Sequence, residues 1–181
     1  QTCHRGDAAA CAEYAYWLGE QRSELEEARL GDTHASRQAQ SFHRRACELG
    51  DARGCIELAQ SARERGDHDT AQRWLAEGCQ LDDGVSCTHL GHLTRDSDRS
   101  EAGRTLTAQL YTQGCEAGDL RGCTSLAALI EETSAGPGTP ATTRALALYR
   151  QACQGGEPYA CGHLGAILLQ GRLTERDPQE A

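Results

Sequence analysis

Ten cysteines are the residues best placed to do chemistry in this 181-residue chain. They are Cys3, Cys11, Cys47, Cys55, Cys79, Cys87, Cys115, Cys123, Cys153 and Cys161. Taken two at a time, they stand eight positions apart in every case. Three chemistries compete for them. Zinc–thiolate centres favour pairs two to four residues apart, with histidines at set spacing, and no such pair occurs. Free thiol pairs would suit a reducing compartment, and disulfides an oxidising one. One spacing repeated five times favours disulfides Cys3–Cys11, Cys47–Cys55, Cys79–Cys87, Cys115–Cys123 and Cys153–Cys161, because one small unit has been copied.

Other chemistry finds little footing. The Gly-x-Ser-x-Gly elbow of serine hydrolases is missing. Ser-x-x-Lys is impossible, since all 18 basic residues are Arg. A cysteine nucleophile needs a free thiolate, and each cysteine is better used in a pair. No glycine-rich phosphate loop is present. His89 and His92 lie three apart on one predicted helix, a potential metal pair. A usable site needs at least three ligands, and His89 shares its repeat position with His163, which argues for surface or packing roles. The reading is therefore no catalytic residue, no metal and no cofactor.

The elements that position the cysteines are pairs of helices. Eight residues before the first cysteine of each later pair stand Ala39, Ala71, Thr107 and Ala145. Five before stand Phe42, Trp74, Leu110 and Leu148; four before, His43, Leu75, Tyr111 and Tyr149; one before, Ala46, Gly78, Gly114 and Ala152. These offsets make one apolar stripe on a first helix, A. Counting three, four and seven past the second cysteine gives Tyr14-Ala15-Leu18, Leu58-Ala59-Ala62, Leu90-Gly91-Thr94, Leu126-Ala127-Ile130 and Leu164-Gly165-Leu168, the stripe of a second helix, B. Ala or Gly at the middle position permits close helix approach. Trp17 and Trp74 sit on these stripes and are read as core or interface-layer residues.

Between A and B the turns read Gly50-Asp51, Gly118-Asp119 and Gly155-Gly156-Glu157-Pro158. Gly ends helix A in the left-handed conformation, Asp51 or Asp119 caps helix B, and Pro158 falls in its first turn. Each disulfide then ties the end of A to the start of B, closing a loop of about nine residues worth about 2.5 kcal/mol. Such staples offset a thin core. Leu, Ile, Val and Phe total only 25 of 181 residues, a composition that alone would suggest disorder.

The repeats predict one array over 1–181, with units near 1–19, 35–66, 67–95, 98–133 and 140–171, and the start of a further helix in 172–181. Extra length lies in the polar stretch Gln21 to Thr33 and in Ser134 to Pro140, a helix break. Glu24, Glu26 and Glu27 read as a solvated stretch. There is no room for a helix A before Cys3, and the chain starts at Gln1 with no Met, so a trimmed or mature form is expected. No apolar run reaches the length of a membrane span. A net charge of −9 without a basic patch argues against nucleic acid.

The stretches "ALALYRQACQGGEPYACGHLGAILLQG", "AQLYTQGCEAGDLRGCTSLAALI" and "AQSFHRRACELGDARGCIELAQ" resemble the Sel1-like repeats, in particular their disulfide-bridged, cysteine-rich Hcp-type branch. Trp74-Leu75 departs from the Leu-Tyr pair of that pattern. The resemblance implies an all-α, right-handed α/α superhelix of about five stapled helix pairs, similar to tetratricopeptide solenoids, with a concave groove. It further implies an adaptor that binds a partner protein or peptide in the periplasm, on the cell surface (as a lipoprotein or otherwise), or outside the cell. Immunity or assembly factors are known uses of the fold. The competing implication is a β-lactam- or peptidoglycan-related binder or hydrolase. Arg44, Arg45, Arg73, Gln109, Gln113 and Arg150, on the polar side of helix A, are the candidate partner-binding residues, since arginines suit a carboxylate-rich partner.

Overall fold

A computed structural model describes residues 7–25, 34–134 and 136–170. Among them the chain forms nine α-helices and no strand: α1 (Ala8–Leu25), α2 (His34–Glu48), α3 (Ala52–Glu64), α4 (His68–Gln80), α5 (Gly84–Ser97), α6 (Glu101–Glu116), α7 (Leu120–Thr133), α8 (Pro140–Gln154) and α9 (Pro158–Gln170). α1 is a B helix; α2 to α9 alternate A and B. The chain divides into two compact units, one ending at Ser86 and one starting at Cys87.

The turns follow the expected chemistry. Gly50, Gly118 and Gly156 have φ near 91°, 93° and 92°. The next residue donates its N–H back into helix A, as Asp119 N does to Gly114 O at 2.9 Å. Asp51 and Asp119 cap helix B by accepting from Arg53 N and Arg121 N. Glu157, which the sequence placed only in the turn, caps α9: its carboxylate accepts from Ala160 N at 2.7 Å and is buried. The fourth turn has no glycine, and Asp82 takes the left-handed position at φ 58°. Asp tolerates that region better than most residues.

Disulfides bridge A to B at Cys47–Cys55, Cys115–Cys123 and Cys153–Cys161, with Cα–Cα distances of 4.9, 4.5 and 4.7 Å. Cys11, Cys79 and Cys87 are also half-cystines, and Cys3 lies outside the described residues.

In the first unit α1 packs on α2, α2 on α3 and α3 on α4. Cys11, Ala12 and Ala46 form one buried cluster with Phe42 and Leu49 against it. Cys47, Cys55 and Leu58 form another, roofed by Trp74. In the second unit α7 and α8 enclose Ala127, Ala145, Leu146, Tyr149 and Ala152, with Ile167 of α9. The residue eight before the cysteine is buried in all four copies: Ala39, Ala71, Thr107 and Ala145. Burying Tyr111 and Tyr149 completely concentrates apolar area in few side chains, which compensates for sparse Leu and Ile.

Three expectations are corrected. Trp17 is 48% exposed: it stacks on Tyr14 at 5.8 Å between centroids, and Tyr14 meets Phe42 edge-on at 4.9 Å. Tyr14 itself, read as stripe, is 43% exposed. A stripe is buried only where another helix covers it, and α1 rests on α2 by its Cys11–Ala12–Ala15 side. The polar stretch beginning at Gln21 is helical through Leu25, because Glu, Gln and Arg are good helix formers whatever their polarity. The remainder of that stretch, with Glu26 and Glu27, and residues 171–181 lie outside the described residues.

Candidate functional site

The six residues read as partner-binding occupy three repeat positions of helix A. Arg73 and Gln109 stand six before the cysteine, Arg44 and Arg150 three before, and Arg45 and Gln113 two before. All point away from the buried line. Arg44, Arg45, Arg73, Gln109 and Gln113 are exposed, and Arg150 is half-buried. Arg45 Nη1 lies 3.5 Å from Glu48 Oε2, one turn on. Arg73 Nη2 donates to Thr70 Oγ1 at 2.8 Å. The first unit carries Arg44, Arg45 and Arg73; the second carries Gln109, Gln113 and Arg150. None of them lines the cleft among α5, α6 and α7 or the groove between α1 and α3.

The second unit holds a polar cleft of about 420 Å³ among α5, α6 and α7. Its walls carry both charges: Arg95, Arg99 and Arg104 against Asp96, Asp98 and Glu132. Arg95 Nη2 bridges to Glu132 Oε1 at 2.6 Å, pinning α5 to α7. Arg104 Nη1 donates to Arg99 O at 3.0 Å. Asp98 Oδ1 accepts from Ser100 N at 2.9 Å, and hydrogen bonding from the Ser100 side chain, then from its backbone, lowers the Asp98 pKa. Buried Thr107 lines the cleft, and its Oγ1 has no partner.

His92 sits at the edge of this cleft. Its Nδ1 is 2.9 Å from the Tyr111 hydroxyl, and Nε2 makes a long 3.5 Å approach to Ser125 Oγ. Burial lowers the His92 pKa, with His89 adding to the effect, while burial raises that of Tyr111. The His89 and His92 rings stand 6.5 Å apart and tilted. No group of three or more potential metal ligands converges among the described residues.

Sequence reasoning missed this network because its pairs cross repeats. His92 is five past the second cysteine and Tyr111 four before the next first cysteine. The same positions hold Tyr16 and His43, with the residue types exchanged. Tyr149, the counterpart of Tyr111, instead donates to Glu131 Oε2 at 3.1 Å and stacks on His163 at 5.3 Å. A comparison of B and A helices offset by one repeat would have exposed the exchange. Chemically, the cleft offers charge-assisted hydrogen bonds of both signs. At 3.5 Å the Ser125–His92 approach is longer than a tight nucleophile–base hydrogen bond, and a tyrosine, not a carboxylate, orients the imidazole.

No protein-family model and no curated protein matches the sequence. Solved structures do. A Sel1 repeat protein from Oxalobacter formigenes superposes over 98% of this chain and 68% of its own, at TM-score 0.71 and 20% identity. A protective antigen of uropathogenic Escherichia coli strains, displaying the SLR fold, matches over 97% of this chain at TM-score 0.73 and 22% identity; this chain spans 36% of it. Cysteine rich protein B of Helicobacter pylori matches over 75% of this chain and 100% of its own, at TM-score 0.57 and 25% identity. The fold is therefore the Sel1-repeat solenoid, and the disulfides fit the cysteine-rich type.

Proposed function

We propose that this cysteine-rich Sel1-repeat chain is a protein-binding scaffold of the bacterial envelope or the secreted fraction, engaging its partner through the polar stripe of its A helices. Sel1-repeat proteins generally serve as protein-interaction scaffolds. The observation that carries the reading is the recurrence: Arg44, Arg45 and Arg73 of the first unit and Gln109, Gln113 and Arg150 of the second fall at three repeat positions of helix A, all exposed but half-buried Arg150, on helices whose opposite faces are committed to the core. Exposed Arg44, Arg45 and Arg73 suit bidentate contact with a partner's carboxylates. The half-cystines support an oxidising compartment. Crosslinked capture from the envelope fraction of the native cell tests this: the Arg44→Glu, Arg73→Glu variant should lose the specific partner that the wild-type chain retains. Equal capture by both would sink the stripe.

A second reading, a β-lactam- or peptidoglycan-related binder or hydrolase, draws support from Ser125 approaching His92 beside the polar cleft. It requires turnover or acylation of a chromogenic β-lactam that is lost on Ser125→Ala.

A further inference from the structure

The first unit has a groove of a different character, about 360 Å³ in volume, between the B helices α1 and α3 with α2 beneath. Ala12, Tyr16 and Ile56 give it apolar walls, and His43 lies on the α2 side. Two carboxylates stand at its sides, Glu13 on α1 and Glu57 on α3. The repeat creates this pair: both residues are two past the second cysteine of their unit, where later units carry His89, Ser125 and His163.

We propose that this groove binds a lysine side chain presented by a partner protein. The inference takes from the proposed function only that the ligand is a protein; the stripe on the A helices is a separate surface.

A lysine combines a long aliphatic stem with a compact ammonium group, so it lays carbon on apolar surface while its charge stays at the rim. Ala12 and Ile56 suit the stem, and the Tyr16 ring, 64% exposed, offers a face to the cation. The two carboxylates supply the charge. Neither Glu13 nor Glu57 makes an ion pair among the described residues, although the chain carries 18 arginines. Arg53 also lines the groove, and Glu13 acts on its charge across it, but its guanidinium is held at Asp51: Nη2 contacts Asp51 Oδ2 at 2.7 Å and Nε contacts Oδ1 at 3.1 Å. Burial raises the Glu57 pKa, with repulsion from Glu64 adding to it. An ammonium group beside it relieves both. Burial also lowers the His43 pKa, which favours the neutral form of the ring beneath the groove. These 181 residues contain no lysine that could occupy the groove.

The test is a backbone amide NMR titration of the ¹⁵N-labelled, disulfide-intact chain with acetyl-Gly-Lys-Gly-amide, and with the same peptide acetylated at the lysine Nζ. The lysine peptide should shift the amides of Ala12, Glu13, Tyr16, Ile56 and Glu57. The acetylated peptide, or the Glu57→Gln chain, should bind about fivefold more weakly or worse, the expected effect of deleting one close surface charge pair. The unperturbed remainder of the Glu57→Gln spectrum reports that it is folded. Equal shifts from the acetylated peptide, equal binding of an arginine peptide, or no shift of these amides at about 10 mM peptide, where even weak ligands register, overturns the assignment. Partner capture reads the stripe and peptide titration reads the groove, so either can fail alone.

Discussion

Gly91 and Tyr111 meet so closely that a Cβ built on Gly91 would lie 2.6 Å from Tyr111 Cε1. Tyr111 is fully buried, held by its hydroxyl at His92 and flanked by Leu126 and Leu129. The ring has nowhere to go. A small residue at the fourth position past the cysteine is thus a steric requirement of helix packing in the second unit.

Gly91→Ala should lower stability by about 1–3 kcal/mol, the usual cost of overpacking, despite the gain of roughly 1 kcal/mol in helix propensity. Gly162→Ala, at a helical glycine with nothing within 4 Å, should raise stability by up to about 1 kcal/mol. Urea unfolding of both variants checks the opposite signs.

Asp82 holds a left-handed conformation at φ 58° where Gly50, Gly118 and Gly156 stand in the other turns. Asp82→Gly should stabilise by about 0.5–1 kcal/mol by removing that strain, and Gly118→Ala should destabilise by about 1–2 kcal/mol. Thermal midpoints in matched buffers decide it.

The Cys115–Cys123 staple restrains the unfolded chain as well as the folded one. Cys115→Ala, Cys123→Ala should cost about 2–3 kcal/mol, the chain-entropy value for so short a loop with some lost packing. Native mass spectrometry should show loss of one disulfide only, and urea midpoints give the magnitude. An unchanged midpoint would mean the hairpin needs no staple.

His43 and His92 both have pKa values lowered from 6.5 by burial. Above that value the folded and unfolded chains are both neutral at these sites. As pH falls below 6.5 the unfolded chain takes up protons first, so stability declines until the folded pKa is passed and then levels off. Tyr111 does not titrate in this range, since burial raises its pKa above 10.0. His92→Gln should flatten the fall in stability between pH 7.5 and pH 5.5, and the His43→Gln, His92→Gln double variant should flatten it further. A slope unchanged in the double variant would reassign the effect to other groups.

Much of this molecule was legible in its sequence because its organising features are local. An eight-residue cysteine spacing is bridged within one hairpin. A Gly-Asp turn requires only its own backbone torsions and a cap. Helix stripes at offsets of three and four follow from helical geometry alone. The positions of Ala39, Ala71, Thr107 and Ala145 in the core were therefore readable residue by residue, as were the helix break before Pro140 and the outward face of Arg44 and Arg73.

Contacts between repeats were not readable in that way. Whether Trp17 is covered depends on which side of α1 meets α2, and that side is chosen by Cys11, Ala12 and Ala15. His92 finds Tyr111, and Tyr16 and His43 come to line one groove, only when a B helix is laid against the A helix of the next repeat. The spacing of cysteines determined the hairpins and their staples. The stacking of hairpins decided which carboxylates, arginines and rings converge, because helix-to-helix register is set by side-chain volume at the contact and leaves no periodic mark on the chain.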